Sequence, residues 1–530
     1  MPLLDGPVRP TIVMPARPPD ERLPVVVASG QSIERDEVVT PLDLMARAAE
    51  AALAEVPRLR GDIGRVSVVR PLGHVGPAPA RQLAESLGAG DAACEVSSVG
   101  GNTPQWLVNR AASAIAAGEL RSTLIVGAEA LRSSRERRAA GLPRLPDPEI
   151  PPDPVVGDER NGVGPAEGAI GLFLPVHLYP MFESAIAARR GRDTPAHRQA
   201  MGELLAPFTD VAAANPFAWF RERHTAEAIA TPAPDNRVVA EPYTKRMSAF
   251  LGSDQGAALV VCSLAAAREA GVEDRAVFVW SGAEANDVYF PVSRPEPGRS
   301  PAIAAAGRAL FEAGSRAAGS GRTLGMDDVA VLDLYSCFPS AVEAALEAFG
   351  LEADDPRGLT VTGGLPYFGG PGNNYTTHAI ATLTDGLRQN GSTAPDTGPR
   401  LGLATGLGWF VTKHAVGLYG SEPPPAGFHR GDTAADQTAI DDTAVEVALE
   451  VDEPVRAVLL AATVTRDGAG TDGVGAAVGA PAFVRLPDGR QMAVAPADPS
   501  VTEEMSSLDV AELVGRELLV EAGAPRYRLP

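Results

Sequence analysis

The groups in this chain able to do covalent chemistry are few: three cysteines and seven histidines in 530 residues. Cys337 lies in a turn after the apolar run 330–334, where a thiol either lines a pocket or packs beneath the loop. To act as a nucleophile it needs a base that draws off its proton. His378, on a helix after the glycine turn 368–374, and His414, in Val411-Thr412-Lys413-His414, are the imidazoles placed to serve. Each is otherwise a hydrogen-bonded structural histidine. Tyr335, two residues before the thiol, could donate a hydrogen bond to a carbonyl, although a phenol titrating at about 10 is a poor base. Cys94, at a strand entry, and Cys262, after Val260-Val261, read as core residues.

Two glycine turns must position these groups. The first, Val99-Gly100-Gly101-Asn102-Thr103-Pro104-Gln105, leads into Trp106-Leu107-Val108-Asn109. The second, Phe368-Gly369-Gly370-Pro371-Gly372-Asn373-Asn374, leads into Tyr375-Thr376-Thr377-His378. The same order of elements surrounds both. In the first half Thr40-Pro41 opens an amphipathic helix, strands are predicted over 66–69 and 95–99, and a helix to 116 and a strand over 123–126 follow the turn. In the second half Ser300-Pro301 opens a helix and a strand is predicted over 330–334. The second turn is then followed by a helix through 383 and a strand over 401–404 that ends in Thr405-Gly406. Serine or threonine before proline is an N-cap with proline at the first helical position. Short β-branched runs alternating with helices predict a parallel sheet covered on both faces. Two copies predict a pseudo-twofold α/β fold whose turns face one shared site.

A chain of this length predicts about two to four domains. The formal charge of −21 argues against nucleic acid or an anionic membrane as the main partner. The cysteines are odd in number and widely spaced, which fits a reducing cytoplasm, and they make no metal-ligand pattern. The opening Met1-Pro2-Leu3-Leu4-Asp5-Gly6-Pro7 lacks the character of a signal peptide. The longest apolar stretch, Ile170-Gly171-Leu172-Phe173-Leu174-Pro175, is short and broken by proline, so no membrane span is expected. A soluble cytoplasmic protein is the expectation. Between the halves, an insertion over 131–251 starts with a basic run, 132–138, and a proline-rich loop, 143–154. Helices are predicted over 181–188 and 196–209. Beyond Gly420, Pro423-Pro424-Pro425 predicts a stiff linker. Strand-like segments at 445–449, 457–460, 483–486 and 517–520, with a hairpin turn at Pro487-Asp488-Gly489, predict a small, mostly antiparallel barrel or sandwich. The domain reading is 1–130, 131–251, 252–420 and 425–530.

The ordered set resembles the thiolase superfamily, and within it the sterol-carrier-protein type. Asn215-Pro216-Phe217-Ala218-Trp219-Phe220 resembles the NPYSxF segment of that group, and Ser253-Asp254-Gln255-Gly256-Ala257-Ala258 its SDGAA strand entry. Tyr335-Ser336-Cys337-Phe338 stands in the place of its HDCF motif. The trailing domain, with Tyr243-Thr244-Lys245-Arg246-Met247, looks like the type 1 thiolase-like proteins, which carry an additional C-terminal domain. The implied fold is a duplicated thiolase fold, two βαβαβ halves layered α-β-α-β-α, with an insertion loop domain and a small barrel of the oligonucleotide/oligosaccharide-binding kind. An acetyl-CoA acetyltransferase-like activity in acyl-CoA and lipid metabolism is what the family would imply.

Thiolases make or break a carbon–carbon bond beside a thioester. They use a cysteine at the first turn, a histidine in a GHP loop and a second cysteine in a CxG loop. Carried over, these positions are Gly101, Gly370 and Ala404, and the histidine of HDCF falls at Tyr335. A shift by one residue to Gly100, Gly369 or Thr405 restores none of them. By the same resemblance, Gly101 and Gly406 would still offer backbone amides to a thioester carbonyl, and the lost side chain is expected to leave space beside Gly101. Lys245 and Arg246, beside Tyr243, would hold coenzyme A, with Arg135, Arg137 and Arg138 as a second set. No permanently bound cofactor is implied; CoA or an acyl-CoA is the ligand or substrate. A homodimer is implied, with a monomer open because the extra domain could block the usual surface. Three functions follow: an acyl-CoA-binding protein without Claisen chemistry, an acyltransferase using Cys337 with His378 or His414, or a non-catalytic partner of another thiolase-fold or lipid-pathway chain. The C-terminal domain would dock a partner or close over the pocket mouth.

Overall fold

Helix starts in this chain are set by local chemistry. The Thr40 side chain accepts from Asp43 N while the Asp43 carboxylate accepts from Thr40 N, a capping box that opens α1 (Pro41–Glu55). Ser300 caps the corresponding helix of the second half through its side chain alone, accepting from Ile303 N without the reciprocal carboxylate. The computed structural model describes residues 17–143, 149–319, 321–390, 399–468, 470–471 and 473–530. The opening Met1–Pro7 and residues 144–148 of the proline-rich loop lie outside the described residues.

In the first half the strands are β1 (Pro24–Ile33), β2 (Arg65–Val69), β3 (Ala93–Ser97), β4 (Ser122–Ala130) and β5 (Val155–Val156). After the insertion come β6 (Asp254–Ser263), β7 (Val277–Asn286), β8 (Val329–Asp333), β9 (Leu401–Gly408) and β10 (Lys413–Gly420). Their order across the sheet is β8-β9-β10-β7-β1-β6-β4-β2-β3-β5. Read outward from the β7–β1 contact, the two halves repeat the same pattern, which is the pseudo-twofold. The sheet is mixed, not parallel as the strand–helix alternation suggested. β2 runs parallel to β3 and β4, and β8 to β9, but β1, β6, β7 and β10 pair antiparallel. Each half returns its last strand to the middle of the sheet, and that return reverses direction.

Helix α2 (Pro79–Ser86) belongs to the first half's outer face, and α3 (Thr103–Ala117) follows the first glycine turn. α4 (Leu131–Ala139), α5 (Pro175–Arg189) and α6 (Thr194–Ala214) belong to the insertion. α7 (Pro301–Ala318), α8 (Pro339–Phe349) and α9 (Tyr375–Asn390) belong to the second half. Leu107, Val108 and Ile115 of α3 share one core cluster with Ile380, Leu383 and Leu387 of α9 and with strand residues of both halves, among them Ile125, Leu259 and Val279. The helices that leave the two glycine turns therefore form the central layer, with α1 and α7 on the outer faces.

The second half departs from the repeat at one point. The counterpart of β3 is not a strand; residues 356–363 are irregular and fold around a buried carboxylate. Asp333 accepts from Val361 N and Thr360 Oγ1 (both 2.9 Å) and from the Tyr375 hydroxyl. Burial raises its carboxyl to about 6 despite those donors.

Past the proline linker, His429–Arg430 still adds to the sheet beside β7, and a helix spans Ala434–Asp441. The segment 445–449 is not a strand: it makes a single bridge, Val447 to Gln491. A closed five-stranded barrel then forms from β11 (Val455–Ala462), β12 (Ala482–Arg485), β13 (Gln491–Pro496), β14 (Glu517–Val520) and β15 (Arg526–Arg528). It is antiparallel except where β13 meets β15. The barrel is joined to the insertion through a small sheet in which Thr465 pairs with Ala240. Among the described residues, no helix is long and apolar enough to cross a membrane.

Gly30 is where β1 meets α1. A Cβ there would overlap the carbonyl oxygen of Ala48 and lie 2.6 Å from Ala52 N, both helix backbone. Gly30→Ala is expected to lower unfolding free energy by about 1–3 kcal/mol, because strand and helix must separate. A denaturant melt reads this out; an unchanged midpoint would show that the contact is not tight.

Candidate functional site

The two glycine turns face each other and are stitched together. Asn373 Oδ1, from the second turn, accepts from Gly100 N at 3.1 Å, and its Nδ2 donates to Arg70 O at 2.7 Å. Thr376 Oγ1 donates to Gly101 O at 3.1 Å. Beside them lies a cavity of about 350 Å³, walled by Gly100 and Gly101 from one turn and Gly372 and Asn373 from the other. The rest of its wall is apolar and aromatic, including Phe173, Tyr179, Leu365 and Phe410, and among the described residues no charged side chain lines it. Tyr179 stacks on Phe338 at 4.5 Å, which fixes one wall.

Tyr335 and Cys337 both line this cavity. The space expected beside Gly101 is not there. A Cβ on Gly101 would run into the Tyr335 hydroxyl and lie 2.5 Å from Leu407 O and 2.7 Å from Tyr335 Cζ. The phenol is oriented by its own backbone, whose Tyr335 N donates to Thr405 Oγ1 at 2.8 Å, and by an edge contact with Tyr375. Burial holds its hydroxyl well above the usual phenol range. Burial also pushes the Cys337 thiol up to about 12, with the Tyr179 hydroxyl only partly offsetting it.

Neither histidine is brought to that thiol. His378 is fully buried, with Nδ1 at 2.8 Å from Gln31 Oε1 and its ring against Phe368. Burial lowers its pKa to about 3. His414 Nε2 sits 3.1 Å from Asp287 Oδ2 and 3.3 Å from Ser300 Oγ. It faces a separate void of about 10 Å³ behind Tyr335, which Thr405, Gly406 and Leu407 also line. Gly406 lines this void and Gly101 the main cavity, although the two backbones are adjacent, a Cβ on Gly406 lying 3.2 Å from Gly101 O. Tyr243 is buried away from the cavity, hydrogen-bonded to Glu183 and to Ser340 Oγ (2.8 Å), so it has no surface for a ligand. Lys245 is exposed, and Arg246 is held by Asp235 (2.7 Å) and Ala228 O.

Several wall residues carry no motif in the sequence. Trp409 and Val411 have φ of 58° and 52°, a left-handed turn without glycine that turns Trp409 and Phe410 into the cavity. The signal available was two adjacent aromatics after a glycine-rich strand end. Glu129, at the end of β4, is fully buried and accepts from Leu72 N (2.7 Å) and Gly73 N (3.0 Å), fixing a cavity-lining loop. Where the insertion meets α8, Glu183, His197 and Glu343 place one ligand atom each within 4.8 Å of one another. Their hydrogen-bond partners include Tyr243 and Arg190, and His197 Nε2 lies 2.6 Å from Glu183 Oε1, while His197 Nδ1 and Glu343 Oε2 have no hydrogen-bond partner among the described residues. No residue of the C-terminal barrel lines the main cavity.

No family model matches the sequence, and no curated protein matches it. Solved structures do. A monomeric SCP2-thiolase like protein type 1 from Mycobacterium smegmatis aligns with 96% of this chain and 99% of its own, at 29% identity and a TM-score of 0.78. This is a thiolase-fold protein. Two more distant structures agree in fold: an Ltp2-ChsH2(DUF35) aldolase (20% identity, TM-score 0.58) and an acetyl-CoA acetyltransferase from Syntrophomonas wolfei (16%, 0.53). Each covers 76% of this chain, and 98% and 99% of those chains are covered.

On this thiolase fold the carried-over positions fall as follows. Gly101 is at the start of the central helix α3 and on the cavity wall. Gly370 is buried outside the cavity wall, its N donating to Phe250 O at 2.8 Å. Ala404 lies inside β9 in the central core, away from the cavity. The thiolase frame thus places both glycine turns, a tyrosine and a protonated thiol around an apolar chamber.

If Tyr335 occupies the space beside Gly101, substitutions at the two must couple. Gly101→Ala alone should cost about 1–3 kcal/mol, and less in a Tyr335→Ala background, a coupling of about 1 kcal/mol in a double-mutant cycle. Additive losses would remove the steric argument. For Glu129, burial raises the carboxyl from 4.5 to about 7, so the folded protein holds a proton that the unfolded chain has released. That contribution is complete below the unfolded value and is lost as pH rises toward 7. Glu129→Gln should flatten the fall in stability between those limits, read from urea midpoints across the range; an unchanged slope would place the titration elsewhere.

Proposed function

We propose that this chain binds the acyl end of a coenzyme A thioester in the apolar cavity between its glycine turns, and that it acylates none of its own side chains. The observation that carries the reading is the tyrosine hydroxyl packed where a side chain on Gly101 would project. The chamber suits a hydrocarbon chain, and the Gly101 turn with the Tyr335 hydroxyl supplies polar groups for a carbonyl. Cys337 lines the same wall, but its thiol is held protonated and no histidine ring is hydrogen-bonded to it. For the phosphates, Lys245, Arg135 and Arg138 are the exposed candidates; Arg246 is already engaged by Asp235.

The edge of β3 is taken by β5 of the same chain, Val96 pairing with Val155 and Ser97 with Val156. We read the protein as a monomer on that ground, in keeping with the description of the Mycobacterium smegmatis structure. The three cysteines are free, as a reducing cytoplasm would leave them. The barrel, docked on the insertion and absent from the cavity wall, would serve as a docking module for a lipid-pathway partner rather than as a lid.

Calorimetric titration with CoA, acetyl-CoA and a long-chain acyl-CoA, with intact-mass spectrometry of the same samples, tests this. Affinity should rise with chain length, approaching about 0.8 kcal/mol per buried methylene, with no mass added to the protein. An acyl adduct on Cys337 would make the chain an acyltransferase; no binding of any thioester would leave the non-catalytic partner role. Independently, Cys337 should resist alkylation by iodoacetamide at about pH 8 in the folded state and react once unfolded in urea. Rapid native labelling would show a thiolate and sink the protonated-thiol argument.

A further inference from the structure

The mouth of the cavity is made of exposed apolar side chains. Phe173 and Leu174, adjacent on the loop before α5, are 55% and 53% exposed; Leu72 is 51% and Leu251 38% exposed, and all four line the cavity. A small ligand inside the chamber could cover their inward faces but not this outward surface. A cluster of this kind at one opening marks contact with another apolar phase.

An aromatic belt continues from Leu251. Its neighbour Phe250 meets Phe220 at 4.7 Å and Trp219 at 6.4 Å. The Arg35 guanidinium lies 4.9 Å over the Trp219 ring, and an Arg135 nitrogen lies 2.9 Å from where a Cβ on Gly252 would stand. Both arginines are exposed; the Arg35 guanidinium also donates to Trp219 O at 2.8 Å and Ala218 O at 2.6 Å, which fixes it at this rim. Half-buried tryptophan, exposed phenylalanine and leucine, and guanidinium groups at the margin suit a phospholipid interface, where rings and aliphatic tips enter the acyl boundary and arginines meet phosphates. The chain's net charge of −21 opposes approach to an anionic surface, and screening over about 8 Å at physiological salt leaves the contact to nearby charges, the two arginines together with the exposed Asp36, Glu37 and Glu136 beside them in the chain.

We infer that the cavity mouth docks on a phospholipid bilayer through Phe173, Leu174 and Leu251, with Arg35 and Arg135 on lipid phosphates. Docked this way, the apolar chamber opens into the hydrocarbon, and an acyl-bearing molecule enters without crossing water. The inference does not depend on the thioester reading: titration in vesicle-free solution tests that separately.

Sedimentation with vesicles tests it, using phosphatidylcholine alone and equal parts phosphatidylcholine and phosphatidylglycerol, against a lipid-free control. The protein should partition to both. Phe173→Ser/Leu174→Ser should weaken partition about tenfold or more on both compositions. Arg35→Gln/Arg135→Gln should weaken it chiefly on the mixed vesicles. Thermal melts matching the parent would confirm that the variants are folded. Sedimentation no greater than the control, or unchanged partition in the serine variant, would overturn the proposal. So would a dimer in light scattering that the serine variant disperses, since a second copy would then be what covers the patch.

Discussion

The contact between the Gly101 backbone, the Tyr335 phenol and the Leu407 carbonyl is the constraint around which the site is arranged. It joins three segments far apart in the chain: the start of α3, the loop after β8 and the end of β9. The tyrosine fills the volume next to the helix start and divides the interior into an apolar chamber and a void of about 10 Å³ behind it. That partition puts His414 on the void side of the phenol, outside the chamber that Gly101 lines. A side chain at residue 101 and the phenol at 335 compete for the same volume in this geometry, with Leu407 O closing it from the other side.

The frame that holds this contact is made rigid by buried polar groups at the element ends. Asn373 and Thr376 tie the second turn to the first, Glu129 holds the loop at Leu72, and Asp333 organises the irregular segment that replaces a strand. Each is buried and hydrogen-bonded to backbone or hydroxyl groups, as a satisfied interior requires. The apolar helices α3 and α9 fill the layer between the two halves, so the turns at their starts cannot move independently. The cost of this rigidity is electrostatic: burial raises the carboxyls of Glu129 and Asp333 to about 7 and about 6.

Much of the fold was legible in the residues. The N-caps at Thr40 and Ser300, the glycine turns and the repeated order of strands and helices each follow from local chemistry, and the structure has them. Strand direction was not legible, because a β-branched run reads the same whichever way its neighbours run. The segment 445–449 misled because its apolar alternation was not matched by a partner strand. At the site, Tyr335 and Cys337 were found from their position in a turn after an apolar run. Trp409, Phe410 and Glu129 were missed because their roles depend on a left-handed loop and on a carboxylate reaching a loop distant in sequence. Tyr243 stood beside two cations in the sequence, yet its ring points into the interior toward Glu183.

By itself the sequence determined what propensity, capping and pattern can specify: two related α/β halves, an insertion between them, a small trailing β domain, and two glycine turns lacking the reactive side chains their resemblance would call for. The tertiary structure alone decided which side chains share a space. It placed Cys337 on the chamber wall without an imidazole, enclosed His378 and Tyr243, and closed the gap that a missing side chain seemed to leave. The physical reason is that local rules act over a few residues, whereas volume is shared between segments hundreds of residues apart, and close packing lets only one of them occupy it.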